Sequence, residues 1–128
     1  MTAAPTPAKT YDTNNIFARI LRGEIPCNKV FENDHVLAFR DIQPQAPTHI
    51  LIIPKGAYVD MDDFTARASG AEIEALFRAL GDIARAAGIA DSGYRTLSNC
   101  GPDSGQEVPH LHLHLVGGHP LGRMLAAG

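Results

Sequence analysis

Three histidines stand at alternate positions in the segment Pro109-His110-Leu111-His112-Leu113-His114-Leu115-Val116. His119 follows within the same ten residues, where chance would place about half a histidine, given six in 128. Side chains alternate in direction along an extended chain. His110, His112 and His114 therefore share one face, and Leu111, Leu113 and Leu115 share the other. The leucine face suits packing on a helix, and the imidazole face looks into a cleft or solvent. It is a poor match for an ordinary wet sheet face, which uses Thr, Lys, Glu and Ser.

Two chemistries compete for such a row. Two imidazoles at i, i+2 can hold one zinc with a third ligand from a neighbouring strand, and His49 is the candidate. Against this, His110 and His114 would lie about 13 Å apart at ~3.3 Å per residue, so one ion cannot take all three. No carboxylate or thiolate stands at ligand spacing. The alternative is phosphoryl transfer. Neutral imidazole is a nucleophile that titrates near neutral pH. Adjacent rings depress one another's proton affinity, so one stays neutral for attack while others carry protons. Protonated rings neutralise phosphate oxygens and supply a proton to a leaving group. A rigid strand gives preorganisation, and no Mg2+ is needed. The phosphoryl reading fits better.

These side chains need a frame. The histidine row implies a long final strand over 108–116, ended by Gly117-Gly118 and Pro120. The β-prone run 49–53 is apolar almost throughout, as in a central strand covered on both faces, and carries His49 at its start. Shorter strands are expected over 30–32, 35–40 and 94–98, with a turn at Asn33-Asp34. Ile73, Leu76, Phe77, Leu80, Ile83, Ala84 and Ala87 recur at helical spacing, which predicts a helix over 71–87 with Gly88 beyond its end. A short helix over 16–21 opens after Asn14-Asn15, and Asp62-Asp63 suits a further helical turn. Loops over 41–48 and 100–105 complete the pattern. Strands joined by short turns, with helical segments between, indicate an α+β fold with a mostly antiparallel sheet. No G-x-G-x-x-G follows a strand, which disfavours a dinucleotide-binding doubly wound fold.

Bulk properties narrow the field. A chain of 128 residues with 45% hydrophobic and 20% charged residues suits one globular domain. The net charge is −3 and no Lys/Arg-rich run occurs, so nucleic acid is not an expected partner. No apolar stretch reaches the ~20 residues that span a bilayer. Cys27 and Cys100 fit no metal spacing and read as thiols in a reducing compartment. The start has no signal-peptide pattern. The expected location is the cytoplasm, with residues 1–13 as a flexible tail and 14–128 as a single domain.

The segment His110-Leu111-His112-Leu113-His114-Leu115-Val116 resembles the motif that names the histidine triad (HIT) family. Ile16-Phe17-Ala18-Arg19-Ile20, Glu24-Ile25-Pro26, Ala38-Phe39-Arg40-Asp41-Ile42, Pro44-Gln45-Ala46-Pro47-Thr48-His49, Gly93-Tyr94-Arg95 and Gly105-Gln106 are similar to the same family. Gly117-Gly118 points to its nucleotide-binding branch, the purine nucleoside phosphoramidases. The resemblance implies a five-stranded antiparallel sheet with two helices, joined into a ten-stranded sheet across a homodimer. It implies hydrolysis of purine nucleoside phosphoramidates to a nucleoside monophosphate through a nucleotidyl-histidine intermediate. A dinucleoside polyphosphate hydrolase, or a nucleotide-binding interaction module with vestigial catalysis, is the alternative.

By the same resemblance His112 is the nucleophile, His114 and His49 assist at the phosphate and leaving group, and His110 orients His112. Asp41 would take the ribose hydroxyls, a role that carboxylate chemistry permits. Phe17, Ile20, Ile25, Phe39 and Ile42 would wall the base pocket. Asn99 and the Gly105-Gln106 backbone would face the phosphate, the latter as an anion nest. Glu107 departs from part of the branch, where serine often stands. No cofactor and no metal are expected. The tail over 122–125 is expected either to pack near a partner's site or to fray.

Overall fold

The computed structural model describes residues 9–125. Five strands form one antiparallel sheet: β1 (Lys29–Glu32), β2 (Val36–Arg40), β3 (Thr48–Pro54), β4 (Tyr94–Leu97) and β5 (Leu113–Gly117). Their order across the sheet is β1-β2-β3-β5-β4. Three α-helices accompany them: α1 (Ile16–Leu21), α2 (Met61–Arg67) and α3 (Gly70–Ala86). The expected sheet is present. The helix count is three rather than two, because the turn anticipated at Asp62-Asp63 extends into a helix. Asp60 caps it by accepting from the Asp63 amide, and Asp63 pairs with Arg67 one turn on.

Local chemistry explains the other boundaries. Asn15 caps α1 through its side chain, which accepts from the Ala18 amide. At the β1–β2 hairpin the Asn33 side chain accepts from the amides of His35 and Val36. Ser69 and Glu72 form a capping box at the start of α3. Beyond its end, Gly88 takes a φ of +75°.

Alternation along the strands sorts the core into two faces. Val36, Ala38, Ile50, Ile52, Leu113 and Leu115 pack with Leu76, Leu80 and Ile83 of α3. Leu37, Phe39, Leu51 and Ile53 pack on the opposite face with Phe17 of α1. Each large buried side chain contributes about 1.5–3 kcal/mol. β3 is buried from His49 to Pro54, as its near-continuous apolarity implies.

The final strand begins later than its residues suggest, at Leu113 rather than 108. Pro109 has no amide hydrogen for a ladder. The Leu111 amide donates to the Tyr58 carbonyl rather than to β3, and ladder pairing with β3 begins only at Leu113, opposite Ile52. Side-chain alternation still carries through. Leu111 joins the α3 face, and His112 meets Phe17 on the other.

Candidate active site

The histidine row is buried, not exposed to solvent. His110 has 0% relative exposure, His112 7% and His49 5%, while His114 is part-exposed. His114 comes from β5 and His49 from β3, and the register pairs His114 with Leu51 and His49 with Val116. His110 and His112 come from the unpaired approach to β5. Phe17 of α1 stands edge-on to His112 at 5.0 Å and to His110 at 6.3 Å between centroids. The short helix therefore buttresses the rings from outside the sheet.

The partners of each ring define its tautomer. The His112 Nδ1 lies 2.8 Å from the His110 carbonyl oxygen. A carbonyl can only accept, so Nδ1–H donates and Nε2 keeps a lone pair. The Gln45 amide donates to His49 Nδ1 at 3.0 Å, which puts the His49 proton on Nε2. That Nε2–H donates to His114 Nδ1 at 2.9 Å, leaving His114 with its proton on Nε2. His110 donates from Nε2 to the Pro54 carbonyl at 2.8 Å and accepts at Nδ1 from the Tyr11 hydroxyl at 2.6 Å. The backbone thus leaves His112 with a free lone pair and His114 with a free N–H. Their centroids are 5.1 Å apart.

Electrostatics favour these neutral forms. Burial pushes His110 down to about 4, and proximity to His112 adds to the fall. Burial, then His112 and His49, bring His114 to about 4 as well. His112 and His49 are also lowered, first by burial. For His112 the bond to the His110 carbonyl works in the other direction, because it favours the ring with its proton. Asp41 opposes the fall at His49, with Oδ2 3.5 Å from Nε2.

Asp41, His49 and His114 offer ligand atoms within 4.8 Å of one another. Their hydrogen bonding does not suit a metal. A neutral imidazole bound through Nε2 carries its proton on Nδ1, where the Gln45 amide already donates to His49. Occupancy would set two N–H groups against each other.

A cavity of about 530 Å3 opens beside the rings. It collects residues from α1, the α1–β1 loop, β2 and the loop after it, the loop before β5, and β5 itself. Phe17, Ile20, Ile25, Phe39, Asp41, Ile42, Asn99, Gly105, His112 and His114 all line it. Ile42 stands at its rim, 90% exposed. Glu107 also lines the cavity. His49 opens instead on an adjoining cavity of about 320 Å3, which shares Asn99 and His114 with the first. His110 reaches neither cavity and contacts only protein.

One expectation is corrected. The Gly105-Gln106 backbone does not form an anion nest, because both amides are already used. Gly105 N–H donates to the Pro102 carbonyl and Gln106 N–H to the Gly101 carbonyl. The Gln106 side chain is spent too, accepting from the Gly101 amide and donating to the Val59 and Val108 carbonyls. It pins the loop and does not line the cavity. Gly105 keeps a left-handed φ of +77°, which closes the short 3-10 turn Pro102–Ser104.

Tyr11, Gln45 and Pro54 are site features that the sequence did not disclose. Two of them act through backbone atoms and leave no residue-type signal. Tyr11 falls in the stretch expected to be a loose tail. Residues 1–8 of that stretch lie outside the described residues, but Tyr11 is half-buried against His110 because its ring and hydroxyl both find partners there. His119 is exposed and outside the row, as expected. The Gly122 carbonyl accepts from Arg95 at 2.6 Å, while Met124 and Leu125 are exposed.

The antiparallel sheet with imidazoles on the face opposite α3 defines a class, and the matches bear this out. The HIT domain model matches residues 22–121, and the chain belongs to that family. An HIT-like protein of Azospirillum brasilense is 70% identical over 121 residues, covering 94% of this chain and 99% of its own. The purine nucleoside phosphoramidase of Escherichia coli is 49% identical over 111 residues, covering 87% and 92%. Among solved structures, a histidine triad protein from Clostridium difficile superposes with a TM-score of 0.79 at 39% identity, covering 91% of this chain and all of that one. A HIT family hydrolase from Legionella pneumophila gives 0.77 at 44% identity, covering 84% and 95%.

Proposed function

We propose that this chain is a metal-independent hydrolase of purine nucleoside phosphoramidates that releases a nucleoside monophosphate. The observation that carries this reading is the pairing, on one cavity, of a His112 lone pair with a His114 N–H. In the first step His112 Nε2 attacks the α-phosphorus, the P–N bond to the leaving amine breaks, and the amine takes up a proton at the His114 side. In the second step water attacks the nucleotidyl-His112 bond, gives up a proton along the same path and frees the ring. The anionic phosphate raises the proton affinity of His114 as it binds, so a ring neutral in the free protein can carry that proton. His114 meets the phosphate through its free Nε2–H, His49 supports His114 from behind, and Asn99 stands between the two cavities.

Phe17, Ile20, Ile25, Phe39 and Ile42 provide an apolar slot for the base, and Asp41 provides acceptors for the ribose hydroxyls. An apolar slot discriminates weakly between adenine and guanine. Two copies of the chain joining along β4 would give the ten-stranded sheet. β4 is an edge strand, with Tyr94 on it and Phe77 on α3 exposed. No helix among the described residues is long and apolar enough to cross a membrane, and free thiols at Cys27 and Cys100 fit a reducing cytoplasm.

The test is hydrolysis of adenosine 5′-phosphoramidate in the presence of chelator, by the parent chain and by His112→Ala. The parent is expected to release AMP. The variant is expected to lose turnover by at least a thousandfold yet still bind AMP. Equal turnover in the two proteins would overturn the role of His112. A higher kcat/KM for diadenosine polyphosphate would overturn the preference for phosphoramidates.

A further inference from the structure

We propose that Tyr11 is a positioning residue: its hydroxyl anchors the His110 ring and thereby helps hold the His110 carbonyl that orients the attacking ring. The inference rests on the reading of His112 as the nucleophile. His110 lines neither cavity of the site, so its influence there runs through its own placement. Four groups set that placement. The Pro54 carbonyl of β3 accepts from Nε2 at 2.8 Å, and the Tyr11 hydroxyl donates to Nδ1 at 2.6 Å. The Tyr11 ring meets the imidazole edge-on at 5.6 Å, and Phe17 closes the remaining side at 6.3 Å. The acceptor-only Pro54 carbonyl fixes the proton on Nε2, and with both nitrogens bonded the ring cannot flip without breaking a bond. The backbone at 110 makes no ladder pairing. The peptide that carries its carbonyl is held by one backbone bond, from the Leu111 amide to the Tyr58 carbonyl, and by the side-chain anchors of His110, and that carbonyl lies 2.8 Å from His112 Nδ1.

The segment carrying Tyr11 is itself tied down. Two residues earlier, the Lys9 ammonium pairs with Asp60 at 2.6 Å and Asp62 at 3.2 Å. Asp60 is buried and caps α2, so the anchor stands on rigid structure. Asn15, which caps α1, donates to the Asp12 carbonyl and fixes the other end of the strap. Burial holds the Tyr11 phenol above its ordinary range, which keeps it a donor. Residues 9–15 thus form a strap from α2 to α1 across His110.

The experiment compares the parent with Tyr11→Phe, both as the full chain with 15N-labelled histidine. Phenylalanine keeps the edge-on ring and removes only the hydroxyl. In the variant the His110 Nδ1 resonance is expected to move downfield as its lone pair loses a donor. The two His112 nitrogen resonances are expected to converge as its tautomer loosens. With adenosine 5′-phosphoramidate, kcat is expected to fall three- to tenfold with KM within twofold. A His110 shift with unmoved His112 resonances would overturn the proposal and leave Tyr11 a packing residue. If the parent turns over no phosphoramidate, the proposed function fails, and the His112 resonances still decide the role of Tyr11. Lys9→Ala, which releases the second anchor and leaves every ring in place, is expected to give the same pattern at smaller amplitude. Resonances identical to the parent in that variant would overturn the strap.

Discussion

Lowering the pH should destabilise this protein well before its carboxylates titrate. His110 is the clearest cause. It is fully buried, both ring nitrogens are engaged, and its pKa is pushed down to about 4. In the unfolded chain the same ring titrates near ~6.5. Below that value the unfolded state binds a proton that the folded state refuses. The stabilisation is therefore complete above about pH 6.5 and is lost progressively as pH falls toward 4. Between about pH 7.5 and pH 5, His110 alone should cost about 2 kcal/mol, at ~1.36 kcal/mol per pKa unit. His114 acts with the same sign but contributes less, being part-exposed. Glu32, Asp60, Asp63 and Glu72 are held below their usual range and add to acid lability only below about pH 4.5, so the window above isolates the histidines. Urea unfolding at stepped pH measures the slope, and an NMR titration of His110 measures its cause. The parent should show a steep fall from pH 6.5 to 5. His110→Gln should start less stable at pH 7.5 and show a slope shallower by about one proton. A flat profile, or equal slopes in the two proteins, would refute the reasoning.

Two further outcomes follow from the same geometry. Binding of AMP near pH 6 should take up a fraction of a proton, because the phosphate raises imidazoles that burial has lowered; calorimetry in two buffers of different ionisation enthalpy reads it, and a buffer-independent enthalpy would contradict it. Asp41→Asn should weaken AMP binding by about ten- to a hundredfold, the scale of a lost charge-assisted hydrogen bond at ~1.5–3 kcal/mol, while the amide oxygen still accepts from Gln43; a change under twofold would remove Asp41 from the ribose role.

Much of the frame was legible because it rests on periodicity. The run of β3 is legible instead from near-continuous apolarity ending at Pro54, and the helical spacing in α3 is a period of this kind. The histidine row was legible for the same reason, since period two carries through even where no ladder forms. The sequence leaves its environment open between cleft and solvent. Alternation gives a direction for a side chain but says nothing of what covers it, and α1 with Phe17 buries His110 and His112 while His112 and His114 line a cavity. Gly105-Gln106 misled because glycine marks backbone freedom without saying where the freed amides point.

The tautomers were the least legible feature, and they decide what the rings can do. A row of three imidazoles is chemically ambiguous: each ring has two nitrogens, and either can hold the proton. Main-chain groups remove the ambiguity. The His110 carbonyl takes the proton side of His112, and the Gln45 amide takes the lone-pair side of His49, which passes a defined polarity on to His114. Identical side chains thereby acquire opposite roles. Because the polarity comes from peptide groups, replacing Gln45 by another residue with an amide hydrogen should preserve it. Proline at 45 removes the donor, frees His49 to reverse its tautomer, and should erase the distinction between the His114 nitrogens in a 15N spectrum. An unchanged spectrum would show that the Gln45 amide does not set the direction of the relay.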